Sequence, residues 1–199
     1  MKHDISFELP SDPGAMRNVN SEAVEALDAA LKALGPEGRG EVMHAIDPRR
    51  ILALPFGGPP VWSVAQVEIG DGSRQYLTYG LSSAVDPESP YDFELTMRVQ
   101  GADDSMWPVL LLRHLARYQL VGGRPIEPGE YWALGGAITR SAVPLEMQAN
   151  FPDTRLNSVF IIAGEELSTP HGDISLRNVV GLDSAERALR EQCTDARFT

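Results

Sequence analysis

The sequence predicts an α+β fold, a single domain in which a mixed, mainly antiparallel sheet is flanked by helices. Three observations lead there. Runs with alternating or continuous apolar residues cluster along the middle of the chain instead of alternating strictly with helices, which disfavours a doubly wound sheet. Segments with three- and four-residue apolar spacing precede, interrupt and follow those runs. The chain has 199 residues, within the range of about 100–200 that one domain occupies. A chain of this size buries about 70% of its unfolded surface and needs no disulfide or metal to hold it.

The elements follow in order. Residues 1–19 are expected as an irregular lead-in, because Pro10, Pro13 and Gly14 break any pattern. The domain is expected over 20–192, with a frayed tail at 193–199. Ser21 is placed to cap a helix whose apolar stripe is Ala23, Val24, Ala26, Leu27, Ala30, Leu31 and Leu34, and Gly35-Pro36 stops it. Ile51–Leu54 is a short apolar run, and Gly57-Gly58-Pro59-Pro60 reads as a bend. Val61–Ile69 alternates, Asp71-Gly72 is a tight turn, and Gln75–Tyr79 resumes as a strand, the signature of a hairpin.

After a loop over Ser82–Pro90 comes the clearest strand, Tyr91–Val99. Phe93, Leu95, Met97 and Val99 share one face; Asp92, Glu94, Thr96 and Arg98 share the other. Pro108 opens a second helix, which Gly122 and Gly123 end. Glu130–Leu134 is a strand, and 135–156 is loop. Ser158–Ala163 is a continuous apolar run, expected as a central strand covered on both faces. Ile174–Val180 is the last strand. Asp183 with Glu186 three residues on forms a capping box that starts a final helix toward Arg190.

Composition bounds function. A net charge of −11 repels phosphate backbones, and neither Arg49-Arg50 nor Arg113 with Arg117 builds a basic stripe, so no nucleic-acid partner is expected. The charge serves solubility, or an acidic face that steers a basic partner. No window approaches the roughly 18 apolar residues of a membrane span, and the first ten residues do not make a signal peptide. Cys193 is the only cysteine, which excludes an internal disulfide and agrees with a cytoplasmic setting.

The search for chemistry returns little. Gly80-Leu81-Ser82-Ser83-Ala84 approaches a nucleophile elbow but lacks its second glycine and its helix. His3, His44, His114 and His171 have no metal-ligand spacing to one another or to the cysteine. Glu165 and Glu166 lie near His171 in sequence and permit a carboxylate–imidazole pair. Asp86 with Glu88, and Asp103 with Asp104, read as solvated loop carboxylates. Glu94 and Arg98 lie four apart on one strand face, as a buried ion pair or as part of a binding groove. No enzyme, cofactor or metal site is expected.

Several short strings, in order, resemble the suppressor of fused family. They are Tyr76-Leu77-Thr78-Tyr79-Gly80-Leu81-Ser82, Phe93-Glu94-Leu95-Thr96-Met97-Arg98, Trp107-Pro108 with Leu115-Ala116-Arg117-Tyr118, Thr169-Pro170-His171-Gly172, and Val179-Val180-Gly181-Leu182. The resemblance covers about residues 60–190 and implies a mixed sheet flanked by helices. It also implies a non-catalytic protein that works by binding another protein. Animal members carry a further C-terminal domain and grip an extended peptide; no such second domain is expected here. Bacterial members of similar length include immunity proteins that neutralise a cognate polymorphic toxin, and that is the role the resemblance implies first. A regulator that captures an extended segment by strand addition is the alternative. Asp86 falls near the place where animal members present an acidic residue to the peptide. Tyr79, Glu94, Arg98 and Trp132 join it as candidate partner-binding residues, each equally able to define the fold.

Overall fold

The computed structural model describes residues 20–44, 63–101, 106–122, 125–143 and 145–195. The expected strand at Ile51–Leu54, the bend at Gly57–Pro60, Arg49-Arg50, Asp103-Asp104 and the lead-in lie outside these residues. The elements are α1 (Ser21–Leu34), β1 (Met43–His44), β2 (Ser63–Glu68), β3 (Ser73–Tyr79), β4 (Phe93–Gln100), α2 (Trp107–Gly122), β5 (Tyr131–Ala133), β6 (Ser158–Thr169), β7 (Gly172–Leu182) and α3 (Ser184–Asp195). Among the described residues the strands form one seven-stranded sheet in the order β1-β2-β3-β4-β7-β6-β5. All neighbours are antiparallel except β4 and β7, so the sheet is mixed and mainly antiparallel as the clustering of strands implies.

Strand alternation sends side chains to two cores. On one face Tyr76, Phe93, Leu95, Met97, Ile161 and Val179 pack with Trp107, Val109, Leu111, Leu112 and Leu115 of α2. On the other, Ala65, Val67, Leu77, Tyr79 and Ile174 pack with Ala23, Leu27 and Leu31, the buried stripe of α1. Fully burying a valine, leucine, isoleucine, phenylalanine or methionine side chain contributes about 1.5–3 kcal/mol. The start of α1 departs from expectation. Asn20, not Ser21, holds the N-cap position, and its side chain makes no cap bond. It donates instead from Nδ2 to the Ala84 carbonyl at 2.7 Å, while its own N–H goes to Val85. The helix is thereby tied to the loop after β3. The capping box of α3 forms as the spacing implies: Asp183 Oδ1 accepts the Glu186 N–H at 2.9 Å, and Glu186 Oε2 accepts the Asp183 N–H at 2.9 Å.

The largest departure is at β6 and β7. The expected central strand Ser158–Ala163 is the first half of a twelve-residue strand that lies next to the sheet's edge, and only its first four residues are buried. It forms a long hairpin with β7 through Pro170-His171, with Thr169 opposite Gly172. The far half carries Glu165, Glu166, Ser168 and Thr169, which give no apolar signal. The register breaks between Ala163 and Glu166, where one extra residue enters β6. Gly164 occupies this bulge because a Cβ there would lie 2.6 Å from the Leu176 carbonyl oxygen. The 135–156 stretch is irregular as expected, save for a 3-10 helix at Leu145–Asn150.

Candidate functional site

The sequence candidates separate into buried and reachable groups. Glu94 is fully buried in β4, and the end of β3 wraps around its carboxylate. Gly80, at φ 106°, turns the chain so that three successive N–H groups face inward. Those of Gly80, Leu81 and Ser82 donate to Oε1 at 2.9, 3.1 and 3.0 Å. Ser82 Oγ donates to the same oxygen at 2.9 Å, and Thr78 Oγ1 donates to Oε2 at 2.7 Å. Burial pushes the carboxyl up to about 6, against the opposing pull of these hydrogen bonds. The strings Thr78–Ser82 and Phe93–Leu95 are thus two halves of one structural unit. Ser82 is occupied as a donor and fully buried, the placement of a structural serine and not of a nucleophile.

Arg98 does not reach Glu94, since a spacing of four along a strand separates the two by about 13 Å. The expectation of a Glu94–Arg98 ion pair is corrected accordingly. Arg98 is exposed; its Nε donates to Ser73 Oγ at 2.9 Å, and its guanidinium pairs with Asp71. Ser73 Oγ in turn donates to Asp71 Oδ1 at 2.5 Å, and this bond, ahead of the Arg98 contact, holds the Asp71 carboxyl below its ordinary value. Tyr79 is fully buried, with its hydroxyl donating to Asp28 Oδ1 at 2.7 Å. Burial, more than Asp28, pushes the phenol far up. Asp86 is 2% exposed and turns its Oδ1 to the Glu88 N–H at 3.0 Å. The expected solvated Asp86–Glu88 pair is instead a local turn with Asp86 inside. Trp132 on β5 is half-buried and meets Tyr118 edge to face, 4.4 Å between ring centroids.

His171 and His44 have structural partners. His171 at the hairpin tip lies 3.4 Å from Glu22 of α1, not against Glu165 or Glu166. His44 on β1 lies 3.3 Å from Asp28 through Nε2 and 3.2 Å from Ser63 Oγ through Nδ1, with its ring against Tyr79. The order Ser63–His44–Asp28 has the sequence of a hydrolytic relay. Ser63 is only 2% exposed, however, and Asp28 Oδ1 is shared with Tyr79, so the line fastens β1 and α1 to the sheet. Two shallow cavities of about 330 and 430 Å³ adjoin at Gly136 and Ala137, and none of the five candidates lines them. Among the described residues no group of three or more His, Cys, Asp or Glu is placed to hold a metal. No helix among them is long and apolar enough to cross a membrane.

Side-chain patterning does not reveal one feature, the open edge of β6. β5 covers the outer side of β6 only at Ser158–Phe160, and Ile161 bonds the 129–130 segment through both its N–H and its carbonyl. From Ile162 to Thr169 the outer backbone of β6 has no strand partner among the described residues. Antiparallel alternation then turns the N–H and carbonyl of Ala163 outward as well. The signal in the sequence is the two-residue turn at Pro170-His171: a tight hairpin requires residues on both sides to pair outward from it, which extends both strands through the polar stretch.

Comparison with known proteins agrees with this architecture. The family model for suppressor of fused protein matches residues 60–197. The structure of the Sufu–Fu complex superposes with a TM-score of 0.59 at 13% identity, covering 83% of this chain and 75% of that one. A suppressor of fused homolog from Neisseria gonorrhoeae superposes at 0.56 and 12% identity, covering 86% and 81%. Drosophila Suppressor of Fused aligns over 62% of this chain and 33% of its own, with 17% identity and a TM-score of 0.45. No curated protein matches the sequence. With more than half of its length matched by the family model, the chain belongs to the suppressor of fused family.

Proposed function

We propose that the chain is a non-catalytic protein-binding domain that takes up an extended segment of its partner along the open edge of β6. The observation that carries this is the eight-residue run Ile162–Thr169, whose outer backbone groups are left without a strand partner among the described residues beside a well-paired sheet. Such an edge supplies main-chain affinity to an added strand. The fold neighbour seen as a Sufu–Fu complex supports a protein as the partner class. Of the sequence candidates, Arg98 and Trp132 have surface to offer that partner. Tyr79, Asp86 and Glu94 act beneath it by fixing the loop and strands that shape the surface.

The test is affinity capture with the intact chain and with Ala163→Pro. The substitution removes one outward N–H without touching a ladder bond to β7. A partner retained by the first and lost by the second, with unchanged circular dichroism, supports edge capture. Equal retention removes the edge from the site.

The second reading is an immunity protein that occludes a cognate toxin, and the net charge of −11 favours it. An acidic surface speeds capture of a basic toxin, so raised salt should slow association. A salt-independent association rate would remove the steering.

A further inference from the structure

We propose that Glu165 and Glu166 make the β6 edge selective: it accepts an extended segment bearing basic side chains and refuses a second copy of this chain. The inference rests on the edge docking proposed above and adds the class of segment that fits. An exposed edge is a template for any strand, including one from an identical molecule. Because Gly164 and Glu165 share one pairing position opposite Leu176, the centre of the free run Ile162–Thr169 is Glu166. An antiparallel pairing of two copies about a two-fold axis, using the whole run, therefore sets Glu166 against its own image, with Glu165 at the adjacent position. Like charges directly opposed across strands are destabilising, whereas opposite charges stabilise.

The local structure keeps the pair in place and unneutralised. The bulge pins them, because Gly164 and Glu165 together oppose Leu176 and the close approach of the Leu176 carbonyl leaves no room to slip. Both glutamates are exposed, and neither carboxylate has a hydrogen bond or ion pair among the described residues. The nearby cations are committed elsewhere. Arg177 donates to the Ile126 carbonyl, lies 3.6 Å from Glu127 and stacks on Phe93, while His171 faces Glu22. Ile162, 40% exposed at the near end of the run, adds an apolar contact for the incoming strand. The fitting ligand is thus an extended segment that alternates apolar with lysine or arginine side chains.

The experiment uses the intact chain and two synthetic nine-residue peptides of one alternating pattern, with lysine at the charged places in one and glutamate in the other. Amide hydrogen exchange across 162–169 is the readout. The lysine peptide should slow exchange there and bind at least about fivefold more tightly than the glutamate peptide. The double variant Glu165→Lys, Glu166→Lys should reverse the order, and Glu165→Gln, Glu166→Gln should self-associate in sedimentation where the parent chain does not. Equal protection by both peptides would overturn the charge selection and leave edge docking standing. Protection by neither would overturn edge docking itself. A Gln variant that sediments like the parent would overturn the barrier to self-pairing.

Discussion

Two substitutions at Glu94 separate the need for an acceptor from the need for a charge. Glu94→Ala removes the acceptor of the Gly80, Leu81 and Ser82 N–H groups in a fully buried site. A buried donor left unsatisfied costs about 1–3 kcal/mol, so three cost about 3–9 kcal/mol, the lower end applying if water fills the space. Whole-domain stability is about 5–15 kcal/mol, and this variant should be largely unfolded or close to it. Glu94→Gln keeps an oxygen for the three N–H groups and for Ser82 Oγ. Its amide N–H₂ faces Thr78 Oγ1, whose proton can turn to the Leu95 carbonyl 3.3 Å away.

The Gln variant also abolishes a cost. The carboxyl is raised to about 6 in the fold from 4.5, so between those values the folded state holds the proton more tightly than the unfolded chain. Stability from this group is full below 4.5 and falls by about 2 kcal/mol as pH rises through 6. Urea unfolding at pH 4.5 to 7.5 should show this decline in the parent and lack it in Glu94→Gln, which at pH 7 should lie within about 1.5 kcal/mol of the parent. A Gln variant as damaged as Glu94→Ala would overturn this assignment, because it would make the charge and not the acceptor the stabilising property.

Other consequences can be measured on the same footing. Leu27→Ala empties the centre of the α1 stripe and should cost about 2–5 kcal/mol in denaturant unfolding, with α1 amides losing protection first. Gly164→Ala drives a Cβ to 2.6 Å from the Leu176 carbonyl and should cost about 1–3 kcal/mol, with altered chemical shifts confined to β6 and β7. Ser73→Ala removes the principal cause of the lowered Asp71 carboxyl. Asp71 stabilises the fold above its unfolded value and loses that contribution as pH falls; in Ser73→Ala its NMR titration should move up toward 3.8.

Much of the frame was legible in the sequence because each element kept one period. The stripe of α1 and the alternation of Phe93, Leu95 and Met97 mark their buried faces by spacing alone, and the Asp183–Glu186 spacing marks the cap of α3. The long hairpin was legible only by halves. Apolar periodicity reports burial, and the outer half of β6 is exposed, so its strand character rests on backbone pairing that side chains do not advertise. The role of Glu94 was hidden for a different reason. Same-face spacing joined it to Arg98, whereas its real partners are backbone N–H groups of a loop across the sheet, to which side-chain patterns are blind. Asn20 likewise served a loop 64 residues away instead of its own helix.

Docking of a protein partner on the outer edge of β6 is decided by hydrogen exchange of the intact chain, free and saturated with the captured partner. Edge docking predicts slowed exchange at Ile162–Thr169, strongest at the outward amide of Ala163, with little change in the already paired β3. Protection concentrated instead around Tyr118 and Trp132, with the β6 edge exchanging as in the free chain, would contradict it.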